Sequence, residues 1–417
     1  PTATPTPTST PLPGKRLLAQ SDVTWLGAFR LPATAAGGGD AAWGRGLALR
    51  RVGGQLRLLA ATVDERVYEV AVPAPGATAP YPLAAETATW ADIFGGRRLL
   101  DGGRTGSLLH GLFWDEPSQR LYWSYGDPYN AVSTGDPCLG WSSLGAGTAE
   151  AHGPWRFTGR SVKMTMGGVL AVPPAFAAAH LGGRRLAAGF GGYFSIVATG
   201  PASMGPALAA FSPEALGAPG PGDAGDVDHL PLCGYPFQAA GPDADGPFRC
   251  WRDSDYDEEF DSGAWNPTGG HGWWTWTDFL WQAAAWIDTP AVEGVLFAPT
   301  VGNGRVWYEA SSLNAERSSN WWMVYAPGDL ARVAAGSAPG WGIQPAARWQ
   351  PGYPGLPPLA TTGWGRAIPG GGDEPPNLVT GMAWDPEGAR LYVAVRFGWR
   401  EDGTSGHAVH VFGIAAG

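Results

Sequence analysis

The stretch "GLFWDEPSQRLYW" at residues 111–123 returns as "GMAWDPEGARLYV" at residues 381–393. Trp114, Asp115, Arg120, Leu121 and Tyr122 recur as Trp384, Asp385, Arg390, Leu391 and Tyr392, each 270 positions later. In both copies two short apolar, aromatic-rich runs flank a spacer of Asp, Pro, Glu and Ser or Gly. Such a spacer signals a β-hairpin, because Asp can bond the turn amides while Pro and Gly supply turn dihedrals. A helix is disfavoured, since the residue before a proline is pushed out of the helical region. One hairpin written twice, near both ends, predicts a fold assembled from copies of one small sheet.

Looser copies fill the interval. Residues 46–64 place two apolar runs around "RRVGGQ", residues 181–198 supply "RRLAAGF" after a glycine pair, and residues 284–301 keep Trp286 and Asp288 before "TPAVEG". That makes five hairpins, with further strands expected at 66–73, 205–213, 321–330 and 407–414. A hairpin plus trailing strands, repeated around an axis, describes the blades of a β-propeller. Each blade alone exposes two apolar faces, which only neighbouring blades can bury. Aromatic rings suit that task, each burying roughly 150–250 Å². The 22 Trp are therefore expected first of all in the core.

The predicted fold is all-β: one propeller over residues 15–417, five-bladed, with six or seven blades open because the hairpins are widely spaced. Ring closure is expected from "VTWLGAFRLP" (23–32) lying beside "HAVHVFGI" (407–414). A pair of β-sandwiches is the rival arrangement. The 64 Gly and 39 Pro favour the many turns either one needs. The formal charge of −10 speaks against nucleic acid and anionic membrane surfaces, which demand a basic footprint. No apolar run approaches the roughly 20 residues of a membrane-spanning helix.

The segments "WLGAFRLP" (25–32), "GPALAAFSP" (205–213), "NWWMVYAPGDLARVAAG" (320–336) and "GMAWDPEGARLYVAV" (381–395) together resemble uncharacterised secreted bacterial proteins with a predicted propeller fold. The likeness is scattered from about residue 22 to 414. It implies fold and an extracellular setting, and brings no catalytic residues with it.

Residues 1–14, "PTATPTPTSTPLPG", alternate Thr and Pro and read as an extended arm at the start of an exported chain. Pro1, Thr2, Thr4, Pro5, Pro7 and Thr8 are the expected assembly contacts, packing on the same subunit or a neighbour, and Thr2 to Thr10 offer O-linked glycosylation positions. Cys233 and Cys250 flank a Pro-, Gly- and Asp-rich loop and form the candidate disulfide of an oxidising compartment, with Cys138 left over.

The interval of about 200–283 is too long for a turn and reads as an elaborated loop. In it "DSDYDEEFD" sets Asp253, Asp255, Asp257, Glu259 and Asp261 at alternate positions. Such oxygens can wrap Ca²⁺, although Glu258 and Ala264 stand where an EF-hand carries Gly and Glu; a plain acidic face is the competing reading. "GGHGWWTWTDFLW" then joins His271 to Trp273, Trp274 and Trp276, a candidate sugar-stacking platform or, more simply, core between blades. His110 stands before the strongest hairpin as a candidate base, ligand or core residue. His407 and His410, three apart in a strand, point to opposite faces and make a poor metal pair. No nucleophile elbow, phosphate-binding loop, HExxH or CxxC motif occurs.

These features point first to a non-enzymatic extracellular structural or assembly protein, a propeller contacting neighbouring copies through its arm, with a filament as one form of that assembly. A carbohydrate-binding propeller is the alternative, as is a glycosidase or lyase with carboxylates in its central channel.

Overall fold

The computed structural model describes residues 14–32, 43–98, 108–126, 135–191, 205–220, 222–235, 238–240, 247–249, 259–260, 278–280, 283–309, 312–354, 378–401 and 404–416. Five small antiparallel sheets form the blades of a propeller. Blade 1 runs outward through Trp43–Val52, Gln55–Thr62, Val67–Ala71 and Ala85–Trp90. Blade 2 follows with Leu108–Asp115, Arg120–Gly126, Leu139–Leu144 and Ala149–Arg156, and gains Gly225–Asp226 in parallel on its outer edge. Blade 3 comprises Gly168–Ala171, Leu186–Gly189, Leu208–Phe211 and His229–Cys233. Blade 4 comprises Ala284–Asp288, Val292–Phe297, Trp322–Tyr325 and Ala347–Trp349. Blade 5 takes Val379–Asp385, Arg390–Glu401 and Thr404–Ile414 from the end of the chain and Val23–Arg30 from its beginning.

The first strand of every blade touches the first strand of the next, and the circuit returns from blade 5 to blade 1. The sequence repeat has its explanation here: Trp114 and Trp384 occupy the same place on two inner strands, and both border the central axis. The expected closure holds, with Val23–Arg30 antiparallel to Thr404–Ile414. A second tie comes from Arg16–Leu17, which adds in parallel to the start of Val292–Phe297.

Inner strands can crowd the axis because small residues sit where they meet. A Cβ on Gly111 would stand 2.5 Å from the Cα of Gly168, and one on Gly381 would stand 2.8 Å from Leu47. Outward from this ring, apolar clusters fill each gap between blades. Phe29, Leu58, Tyr392 and Val409 join blades 5 and 1, while Leu59, Trp90, Leu121 and Trp123 join blades 1 and 2. Trp90, Trp123, Trp155 and Trp322 are all but fully enclosed, as the tryptophan-rich composition predicts.

The last joint of each repeated hairpin is electrostatic. Asp115 of blade 2 holds Arg185 of blade 3 through two oxygens, at 2.6 and 2.9 Å. Asp385 of blade 5 likewise accepts from Arg51 of blade 1 at 2.9 Å. Asp115 also accepts from Ser118 Oγ within its own turn, and both aspartates pin the next blade.

Two sequence expectations need correcting. The hairpin expected over 181–198 has its first strand upstream, at Gly168–Ala171, and a short helix, Pro174–His180, lies in the connection. Gly182 and Gly183 end that helix at φ +59° and +83° rather than turning a hairpin, the amide of Gly183 reaching back to Ala177. The strand expected over 321–330 stops at Tyr325, because Pro327 begins a helix, Pro327–Ala334. The interval 200–283 also supplies the third and fourth strands of blade 3, beside shorter pairings such as Gln238–Ala240 with Pro247–Arg249. Glu259–Phe260 and Asp278–Leu280 pair with Thr300–Glu309, outside the blades.

Candidate functional site

Three places could carry chemistry: the axis, the inner end of blade 2, and a cleft between blades 2 and 3. The axial cavity is small, about 130 Å³, and is walled by side chains from all five inner strands. Leu49, Phe113, Trp114, Val169, Trp286 and Trp384 face it, and no carboxylate borders it among the described residues. The apolar composition of the inner strands explains this. The "GLAL", "GLFW" and "GMAW" runs put apolar residues on the axis and leave Arg50, Asp115 and Asp385 at the strand ends.

His110 precedes Gly111 on the inner strand of blade 2 and is wholly buried. Its Nδ1 lies 3.4 Å from the Arg45 guanidinium and its Nε2 lies 3.2 Å from the Gly126 carbonyl. Burial, reinforced by the positive charge of Arg45, pushes its pKa down to about 3. At neutral pH it is an uncharged core residue. Cys138 and Cys233 carry buried free thiols whose pKa values burial pushes up to about 12, so neither is a nucleophile. His410 is buried against Tyr81 and Tyr353 and accepts from Trp25 Nε1 at 3.3 Å. No group of three metal-ligating side chains occurs among the described residues.

The cleft is larger, about 440 Å³. Blade 2 supplies one wall. Trp141 and His152 are cross-strand partners, and their rings stack 3.8 Å apart at 16°. The Arg120 guanidinium lies 4.0 Å from the Trp141 centroid. Two groups that close to one ring must occupy opposite faces, so Trp141 is sandwiched and shows the cleft only its edge. Arg97 enters from the connection between blades 1 and 2. Its place is set by a turn in which Asp92 accepts from the amides of Phe94 and Gly95, followed by Gly95 and Gly96 at positive φ. Blade 3 closes the other side with Pro213, Glu214 and Leu216 of the turn after its third strand. Arg185 lies at the base, bonded to Asp115 and Glu214. Desolvation, with the fields of Arg120 and Arg97, holds His152 below its ordinary value against the pull of Glu150.

Most of the residues singled out from sequence lie outside the described residues: Pro1, Thr2, Thr4, Pro5, Pro7 and Thr8 of the arm, the acidic run Asp253, Asp255, Asp257 and Asp261, His271, Trp273, Trp274 and Trp276, and Cys250, the proposed partner of Cys233. Glu259 is described only as backbone of its short strand. The cleft was not foreseen. Its signal was nonetheless present, since Trp141 and His152 stand at equal distances from the turn "GAGT" at 145–148 and so face each other across a hairpin.

The fold defines the class: a five-bladed β-propeller. No protein-family model and no curated protein matches the chain. A solved structure from Parabacteroides distasonis, described as a "putative glycoside hydrolase", is similar over 98% of this chain and 95% of its own, at 10% identity and a TM-score of 0.39. Raptor from Chaetomium thermophilum is similar over 88% of this chain and 23% of its own, at 10% identity and a TM-score of 0.29. Likeness this distant bears on neither chemistry nor partners.

Proposed function

We propose that this protein is a non-enzymatic, extracellular assembly subunit whose propeller is a rigid body and whose residues 1–14 engage a neighbouring copy. The observation that carries the reading is the anchoring of the arm's root. The amides of Arg16 and Leu18 bond the carbonyls of Ala291 and Glu293 at 3.2 and 2.9 Å. Lys15 pairs with Asp288 and Arg16 with Asp22. The chain is therefore anchored to blade 4 from Lys15 onward, which supports the reading by giving the arm a fixed root. The chemistry of the interior agrees: the axis is apolar, and the buried imidazole of His110 and thiols of Cys138 and Cys233 are held in their neutral forms.

A head-to-tail contact of this sort propagates a filament when its rotation does not close into a ring. Static light scattering and electron microscopy of the full chain and of a chain starting at Lys15 test the reading. Concentration-dependent growth is expected for the first and monomers for the second. Monomers from both at high concentration would overturn it.

A further inference from the structure

We propose that the cleft between blades 2 and 3 binds a small saccharide carrying an oxyanion, with Arg97 and Arg120 receiving the anionic group. The assignment rests on which cations are already engaged. Arg185 is held between Asp115 and Glu214 and has little left to offer. Arg120 lies on the face of Trp141 and joins no ion pair among the described residues. The Arg97 side chain likewise makes no hydrogen bond or ion pair among the described residues, although it borders the same space. Two guanidiniums without a carboxylate partner border one cleft, and their shared positive field favours an anion there. A planar guanidinium presents a fork of N–H donors that matches a carboxylate or sulfate.

Size and wall chemistry narrow the ligand. A volume of about 440 Å³ lies in the range of small-molecule sites, roughly 300–1,000 Å³, and admits a one- or two-ring ligand. The walls mix polar groups with Leu216, Pro213 and the edge of Trp141, a combination that suits a hydroxylated ring better than an aliphatic chain. Glu214 and Glu150 face the same neighbourhood, but the first is committed to Arg185 and the second projects toward solvent beside His152. The stack of Arg120, Trp141 and His152 pre-positions one guanidinium, so little side-chain freedom is lost when the anion arrives.

Calorimetric titration with D-glucuronate, with D-glucose and with sodium sulfate tests the proposal on the full chain. Glucuronate is expected to bind, glucose not to bind detectably, and sulfate to bind at least tenfold more weakly than glucuronate. Arg97→Gln should weaken glucuronate at least tenfold with an unchanged melting temperature, because Arg97 supports nothing else. Trp141→Val, which removes the support under Arg120, should weaken it as well. Absence of glucuronate binding, or binding untouched by Arg97→Gln, would overturn the site. Sulfate bound as tightly as glucuronate would overturn the saccharide class. None of these readings depends on whether residues 1–14 drive assembly.

Discussion

Blades 2 and 5 begin with nearly the same hairpin and end with different surfaces. In blade 2, Tyr122 pairs across the sheet with Trp141, which pairs with His152. In blade 5 the equivalent row runs from Tyr392 to Val411 to Gly27. Arg120 therefore finds the Trp141 ring to lie on, whereas the matching position beside Arg390 is the aliphatic Val411. The two aspartates diverge as well. Asp115 is gripped by two nitrogens of Arg185, while Asp385 shares Arg51 with the exposed Glu387. A repeated hairpin thus specifies the joint between blades, and the strands outside it decide whether that joint is closed or opens into a cleft.

The sharpest way to break the comparison is at the inner glycines. Gly111→Val drives a side chain into the Cα of Gly168, backbone against backbone, and is expected to cost more than about 3 kcal/mol or prevent folding. Gly381→Val meets the Leu47 Cβ at 2.8 Å and the Leu47 backbone nitrogen at 3.0 Å, a slightly looser contact, and should cost about 1–3 kcal/mol. Urea unfolding of both variants ranks them, and equal losses would mean that the two inner joints are equally tight.

Removing the aspartates comes next. Asp115→Ala leaves Arg185, three-quarters buried, with Glu214 alone, and should cost about 3 kcal/mol. Asp385→Ala should cost about 1 kcal/mol, since Arg51 keeps Glu387. Thermal melts at low and high salt separate the two, with the smaller effect the more easily screened.

His110 has Thr380 as its counterpart 270 positions on, and only the first can titrate. Its pKa is 6.5 in the unfolded reference and about 3 in the fold. Between those values the unfolded chain binds the extra proton, so stability falls as pH drops through this window, by about 1.4 kcal/mol per pH unit from this group. The contribution is absent above it. At pH 5 the loss is about 2 kcal/mol relative to neutral pH, and His110→Thr should flatten the profile by that amount. An unaltered pH profile in the variant would place the acid sensitivity elsewhere.

The smallest effects lie in the turns, where the copies agree. Gln119 and Ala389 take φ of +54° and +47° at matching positions. Glycine is free there and other residues are strained, so Gln119→Gly and Ala389→Gly should each stabilise by about 0.5–1 kcal/mol. A gain in one and a loss in the other would show that the turns only look alike.

Much of the ring could be read from residues 111–123 and 381–393, because hairpin chemistry is local: a turn declares itself in Asp, Pro and Gly, and strand alternation in the neighbouring apolar runs. The closure between 23–32 and 407–414 was legible too, since two apolar strands at the chain ends need partners. Less visible was the helix Pro174–His180, which lies just ahead of the hairpin expected over 181–198 and fills the connection from Gly168–Ala171. The cleft was hidden for a different reason. Trp141 and His152 face each other across one hairpin, but Arg97, Arg120 and Glu214 belong to other connections and strands, and no short-range pattern announces that they join that pair.

By itself the sequence determined the blade unit, its repetition and the need for a closed circle, because periodicity and turn residues act over a few positions. It also fixed the aromatic filling, since isolated sheets with two apolar faces cannot remain in water. Only the tertiary structure decided which arginines are left without carboxylates and which aspartates lock the next blade. Those outcomes depend on distances between residues far apart in the chain, which are set when the blades pack.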